Sequence, residues 1–567
     1  MSTAHAHVQP NTFLFLRLPS ELLKLVEIRA DAIIDIGKFG SISSNSLLGR
    51  PYYHTYELLE KRAGEAQARI RVVPAHELNA EVVTSAPTPA ESRDDSEATA
   101  GTNGVPEGYD LLSEERTTGM KNNRLTVDDA SRQALSQQEI EELKKSSGGK
   151  EIIEKILANH AGLGEKTDFS KAKYMVRKTK KYLKRFTVLP MDLGTLMEYI
   201  TVKEPARILE LREESLGLMV AWSNVHCCPD DDVERDAAGK RVGGGRWLVI
   251  DETAGLLVAA VAERMGILFP DSEAQGQDDG KASSQRVADK SDAQPTADTS
   301  TTEQAAPKLV IHRDFPLPAP TNTITLLHPA VQPNVSLLKY FGYDTNQPDT
   351  THPLHTHLKP LSWLSLLHPE EDPTYREPET ATPAEMAEWK SGKRSAYFKK
   401  RRRWERFQSI VDEAREGGFD GLVMATSMDA ASILSHTVPL VRGGGHIVIY
   451  SPAAEPLVKL VDLYSRDRRA AYMQHLAEGQ QPNADDFPVD PRLLLAPSLQ
   501  TSRARAWQVL PGRTHPVMGA RGGAEGYVFT ARKSIPLEGG VEARGNFTAK
   551  RRKVNAPPPP PSSDSIG

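Results

Sequence analysis

The sequence predicts a chain of α/β plus β class. A small β-barrel domain comes first, then a basic helical linker, then a Rossmann-like α/β domain carrying disordered inserts. Three observations predict it. From about Thr187, strand-length apolar runs alternate with helical ones, the pattern of a parallel sheet covered on both faces. Residues 9 to 83 instead hold short strand-like runs parted by Pro, Gly and Ser turns. The length, 567 residues, exceeds one domain and suffices for two or three cores.

Composition narrows the class. Charged residues make up 26% and apolar ones 39%, with a formal net charge of -5 and a mean hydropathy of -0.45. That balance describes a soluble protein with much connector. The two cysteines, Cys227 and Cys228, are adjacent, so a disulfide framework is excluded and a reducing compartment is expected. The N-terminal residues lack a signal-peptide pattern, so no secretory leader is expected, and no apolar run approaches the roughly 20 residues that span a bilayer. The chain is expected in the cytosol or nucleus, away from membranes.

In chain order, residues 1–84 form the barrel-like domain. Its strand candidates are Phe13–Leu18, Leu25–Ile28, Ala32–Ile36 and Arg69–Val73. Residues 85–121 form a disordered linker, poor in large apolar side chains. Residues 122–186 are helical and basic. Ser136 and Glu139 make a capping box, Ile140, Leu143, Ile152, Ile153, Ile156 and Leu157 keep helical spacing, and a cationic helix runs to Phe186. Residues 187–535 are the α/β domain, with strands expected at Arg207–Leu211, Arg246–Ile250, Thr323–Leu327, Gly421–Ala425 and His446–Tyr450. Helices are expected at Leu216–Asn224, Ala254–Met265 and Pro456–Tyr464. A disordered insert at 271–306 and a Pro/His-rich insert at 344–395 interrupt the domain. Residues 536–567 are a disordered basic and proline-rich tail.

The run Ile208 to Met219 draws attention as a cofactor turn. A short apolar strand ending near an acidic residue and leading into a helix is where a doubly wound fold binds a cofactor. S-adenosylmethionine-dependent methyltransferases carry E-x-G-x-G-x-G there, because only glycine lets the backbone turn and approach the cofactor. Counted from Glu210, the three glycine positions hold Arg212, Glu214 and Leu216. A scaffold with its pocket lost is expected, with no cofactor bound by this chain.

Cations cluster twice. Lys171, Lys173, Arg177, Lys178, Lys180, Lys181, Lys184 and Arg185 fall within about four helical turns. Like charges at i,i+4 repel, and the segment holds no acidic compensation. A solvated face is the plainer reading; contact with RNA phosphates is the sharper one. Lys399, Lys400, Arg401, Arg402 and Arg403 precede Trp404, a mixture of cations and a stacking ring that also suits a solvated linker or an import signal. Lys550–Lys553 reads as a nuclear import address. His352, His355 and His357 lie in a proline-punctuated stretch far from the cysteines, so no metal site is expected. Gly443–Gly445 reads as a tight turn. No G-x-S-x-G, Walker A or H-E-x-x-H occurs.

Several separated segments together resemble one family, the non-catalytic subunit of the eukaryotic tRNA (adenine-58-N1) methyltransferase. They are Ile36–Ser41, Leu48–Tyr52 with Thr55–Leu58, Ser147–Glu154, Lys180–Val188, Ile250–Val258, Tyr450–Pro452 and Gln508–Pro516. The resemblance implies a degenerate methyltransferase domain and a paralogous catalytic partner that uses S-adenosylmethionine. It further implies a two-plus-two heterotetramer, tRNA as the bound substrate, and a nuclear location. The catalytic paralogue carries an Asp-Leu-Pro after its fourth strand; the matching aspartate position here is Ala425. Two other readings stay open: an active methyltransferase with an unorthodox cofactor site, tested by whether Asp251 or Glu252 faces an open pocket, and a nuclear RNA-binding adaptor.

Overall fold

The computed structural model describes residues 6–59, 67–78, 135–146, 149–160, 168–228, 234–235, 241–270, 317–347, 349–505, 507–510, 513–517 and 525–536. The expected disordered segments at 85–121 and 271–306, the expected tail 536–567 beyond Pro536, and the Lys550–Lys553 cluster lie outside the described residues. Among the described residues no helix is long and apolar enough to cross a membrane.

The N-terminal strands are β1 (Thr12–Arg17), β2 (Leu23–Ile28), β3 (Ile33–Asp35), β4 (Ser41–Ser43), β5 (Thr55–Leu58) and β6 (Ile70–Val72). Three helices follow, α1 (Gln137–Ser146), α2 (Gly149–Ala158) and α3 (Asp168–Tyr182), and then strand β7 (Arg185–Pro190). Strand β7 returns to the middle of the sheet, whose antiparallel order is β2-β1-β7-β5-β6. This corrects the expected boundary at residue 186, because that cut runs through the central strand. In its strand pairing the unit is an open five-stranded sheet with the β3–β4 hairpin beside it.

Period-two alternation lets the sheet serve two cores. Leu14, Leu16, Phe186 and Val188 join Ile34, Ile36, Ile42 and Tyr56 in the N-terminal core. Phe15 and Leu189, one residue out of phase, join the core of the C-terminal domain. The three helices pack on one another through Ile140, Ile152, Ile153, Ile156, Tyr182 and Leu183. The capping box forms as expected, with the Ser136 N–H donating to Glu139 Oε2 at 2.7 Å and the Glu139 N–H to Ser136 Oγ at 3.2 Å.

The C-terminal domain begins with α4 (Leu193–Lys203) and α5 (Glu213–Trp222). It continues through β8 (Arg246–Asp251), α6 (Leu256–Arg264), β9 (Thr323–His328), β10 (Leu358–Ser362), α7 (Ser391–Glu416), β11 (Phe419–Ala425) and α8 (Ala430–Thr437). Last come β12 (Val441–Ser451), α9 (Glu455–Leu463), α10 (Arg466–Ala477), β13 (Leu494–Gln500), the hairpin β14 (Trp507–Leu510) and β15 (Arg513–Pro516), and β16 (Tyr527–Lys533). The seven-stranded sheet has the order β10-β9-β8-β11-β12-β16-β13. The strands from β10 to β12 pair in parallel, and β16 runs antiparallel to both neighbours. This is a Rossmann-like, methyltransferase-type sheet in which β8 is the first strand and the order reverses between β8 and β11. The all-buried runs of β8, β9 and β11 fit strands covered on both faces.

Three further expectations are overturned here. Arg207–Leu211 is not a strand. Pro205 opens a single helical turn to Ile208, after which Leu209 and Glu210 both take left-handed backbone angles, φ 51° and 53°. Ile208 and Leu211 are buried for packing, not for sheet pairing. The stretch 344–395 is likewise no mere insert: it supplies the sheet's edge strand β10. Gly443–Gly445 lie inside β12, where its register against β11 jumps from Phe419–Val441 to Gly421–His446, so they form an irregular stretch within the strand and not a turn before it.

Candidate functional site

The switch point of a doubly wound sheet is where a cofactor crevice opens, and here it lies over the ends of β8 and β11. The turn that matters is therefore Asp251-Glu-Thr-Ala-Gly255, leading from β8 into α6. Arg212, Glu214 and Leu216 belong elsewhere, at the start of α5. Arg212 is its N-cap residue, Glu214 accepts the Ala504 N–H at 3.2 Å, and Leu216 is buried in the core. Sequence reasoning misplaced the turn because Ile208–Leu211 has the apolar character of a strand but lacks its partners.

In the true turn, Asp251 is buried and closed on its own loop. Its carboxylate accepts the Thr253 N–H at 2.5 Å, the Thr253 hydroxyl at 2.6 Å and the Val258 N–H at 3.0 Å. Burial pushes this carboxyl up, against the pull of those donors. Glu252 reaches across the switch point. It accepts the Ser427 N–H at 2.8 Å and hydroxyl at 2.7 Å, while its own N–H donates to the Ala425 carbonyl at 2.9 Å. Burial raises the Glu252 carboxyl, but the Ser427 and Thr426 donors outweigh it and hold it below the usual range.

Gly255 has φ +93°, and a β-carbon there would stand 2.8 Å from the Cα of Val335. The room that glycine leaves for a cofactor is thus filled by the chain's own backbone. The filling segment is fastened on three sides. The Leu337 N–H donates to the Ala254 carbonyl at 3.0 Å, Arg207 donates to Ser336 Oγ at 2.8 Å, and Tyr340 meets Phe13 of the N-terminal sheet edge-on at 5.3 Å. After the second strand, where the ribose-binding acid usually sits, stands His328, its Nδ1 2.8 Å from the Ala330 carbonyl. Burial pushes the pKa of its imidazole down.

Ala425 ends β11 in register with Asp251 on one side and Tyr450 on the other, fully buried. Position 425 itself carries no carboxylate; the nearby Glu252 is held by Ser427, and Asp429, four residues on, caps α8 through Ser432 at 2.9 Å. The histidines are committed separately: His352 to the Phe341 carbonyl, His357 to the Asn322 carbonyl, and His355 to Arg406.

The first basic cluster divides. Arg177, Lys181 and Lys184 are exposed, while Lys171, Lys173 and Lys178 are half-buried. Lys178 lies 4.8 Å from the centre of the Tyr174 ring, and burial, then Lys181, lowers its pKa. Lys180 lies on the helix without a described side chain. Arg185 is a correction: the helix ends at Tyr182, and Arg185 is a buried β7 residue paired with Glu77 at 3.1 Å. Reading the run as one helix missed the change of element at Leu183. The second cluster is helical, on α7, and also divides. Arg401 pairs with Glu377 at 3.1 Å and Glu405 at 3.3 Å, whereas Lys399, Lys400, Arg402 and Arg403 are exposed.

A Rossmann-like, methyltransferase-type sheet agrees with what the chain is similar to. Residues 7–390 match the Gcd10p family. A tRNA (adenine(58)-N(1))-methyltransferase non-catalytic subunit of Aspergillus oryzae is 46% identical, over 97% of this chain and 96% of that protein. Its Aspergillus fumigatus counterpart is 44% identical over the same shares. One from Debaryomyces hansenii is 28% identical over 96% and 90%. With the match spanning well over half its length, the chain belongs to the Gcd10p family.

Proposed function

We propose that this chain is the non-catalytic, tRNA-binding subunit of a tRNA (adenine-58-N1) methyltransferase. A paralogous catalytic chain supplies S-adenosylmethionine, and the two assemble as a nuclear two-plus-two heterotetramer. The observation that carries the reading is Val335 lying against Gly255, with Glu252 bonded to Ser427 across the switch point. The scaffold persists while its crevice serves as a packed joint. The N-terminal sheet and its hairpin serve as a barrel-like module set against that joint.

The chemistry gives such a subunit work to do. Adenine N1 lies on the Watson–Crick edge, so the base must leave its stack before it can be methylated, at a cost of a few kcal/mol. Holding more of the RNA's surface offsets that cost. A partner with exposed cations extends the platform and reads shape and phosphates more than sequence. Arg177, Lys181 and Lys184 around α3 are the first such group.

The test is transfer of a labelled methyl group to tRNA by this chain, by its catalytic partner, and by both together. Transfer is expected from the pair, and calorimetry on the chain alone should give no heat with S-adenosylmethionine. Transfer by the chain alone, or micromolar cofactor binding, would overturn the reading.

A further inference from the structure

Helix α7 has 26 residues, about 39 Å at 1.5 Å per residue, yet its first buried residue is Val411. Its last turns are bound to the domain: Glu413 pairs with Arg246 at 3.0 Å and with Lys359. The earlier turns carry no buried residue and are buttressed by residues 375–389. Trp404 Nε1 donates to the Tyr375 carbonyl at 2.9 Å, the Tyr397 hydroxyl accepts the Ala381 N–H at 3.2 Å, and Trp389 meets the Tyr397 ring at 5.3 Å. The result is a braced helical arm.

Helical geometry sorts its cations. Tyr397, Arg401, Trp404 and Gln408 share the braced face, and Arg401 spends its charge there on Glu377 and Glu405. Lys399, Arg402, Arg403 and Arg406, spaced i, i+3, i+4 and i+7, share an opposite stripe, and all four are exposed. Glu405, Asp412 and Glu413 are engaged with Arg401, Tyr375 and Lys359. Arg406 is anchored on His355, through both the ring nitrogen at 3.2 Å and the carbonyl. Four like charges on one rigid face repel one another in solvent, and a polyanion relieves that cost.

We propose that the Lys399–Arg402–Arg403–Arg406 stripe is a second docking surface for the phosphodiester backbone of the substrate RNA, separate from α3 and blind to base sequence. The inference rests on the tRNA-binding reading above. Neighbours on the stripe are about 5–6 Å apart, which suits successive phosphates of one strand. No base-reading group is needed, since charge and shape alone hold the backbone.

The experiment uses the full chain assembled with its catalytic partner, carrying Lys399→Gln, Arg402→Gln and Arg403→Gln together. The slope of log affinity for tRNA against log salt should fall by about 2 to 3, at roughly 0.7–0.9 per phosphate contact. The loss should be the same for substrate and non-substrate tRNA. Arg401→Gln, on the braced face, should lower the melting temperature and leave the slope alone. An unchanged slope in the assembled triple variant, with the wild-type complex binding normally, overturns the stripe but not the subunit's role. Failure of the wild-type complex to bind tRNA would overturn that role itself. Failure of the triple variant to assemble with the partner would mark the stripe as a protein interface, and overturns the proposal too.

Discussion

Val335 presses its backbone on Gly255: its Cα lies 2.8 Å from where a β-carbon on that glycine would stand. The glycine thus keeps the close approach that a cofactor turn needs, but the approaching group is the chain itself. The same contact ties the turn after the first strand to the segment after the second, and through Tyr340 to the N-terminal sheet.

Gly255→Ala should lower the thermal midpoint more than Gly444→Ala. Both glycines have positive φ, +93° and +75°, but nothing lies within 4 Å of a β-carbon at Gly444. Strain alone costs about 1–3 kcal/mol at each, and only Gly255 adds a collision with backbone. Equal shifts of the two unfolding curves would show that Val335 imposes no constraint.

Asp251 sits among donors only, so Asp251→Asn should destabilise the C-terminal domain. An amide keeps one acceptor and turns N–H groups toward the Thr253 or Val258 donors, leaving a buried mismatch worth about 1–3 kcal/mol. Hydrogen exchange at α6 reads the effect locally; unaltered protection of Val258 would refute it.

On the basic helix, the residues separate by role. Arg177→Ala, Lys181→Ala and Lys184→Ala should each flatten the salt dependence of tRNA binding by roughly 0.7–0.9 in slope. Arg185→Ala should leave the slope intact and cost stability, about 1–3 kcal/mol, by removing a buried charge-assisted hydrogen bond to Glu77, which Arg71 still holds. Salt titrations beside melting curves distinguish the two classes, and a slope change at Arg185 would contradict its structural assignment.

Ala425→Asp should not create an enzyme. The position is buried and in register with Asp251, so a second carboxylate enters beside the first without a cation, at about 3–5 kcal/mol. General-base help is worth roughly 10²–10⁴-fold only when a methyl donor is in place, and on the function proposed above that donor sits on the catalytic partner. Methyl transfer by this variant without its partner would show that the cofactor turn accepts a donor after all.

Local pattern carried far in this sequence. The runs at Arg246, Thr323, Gly421 and His446 all became strands near the expected places, because fully apolar runs of that length suit a doubly covered parallel sheet. The Ser136–Glu139 cap formed because its chemistry is local. The edge strand β10 and the last strands β13 and β16 escaped notice, since Lys359, Pro360 and the mixed residues of β13 and β16 do not read as buried strands.

By itself, then, the sequence determined the family, the α/β class and the presence of cationic stretches, all properties of residue type and order. Tertiary structure decided which strand is first. Ile208–Leu211 and Arg246–Asp251 are both apolar runs leading toward a helix, and hydrogen-bond partners alone separate a strand from a buried turn. It also decided which cations stay free to act. Arg185 and Arg401 look like their cationic neighbours in sequence, and the positions of Glu77 and Glu377, brought close by folding, commit them to the protein's own carboxylates.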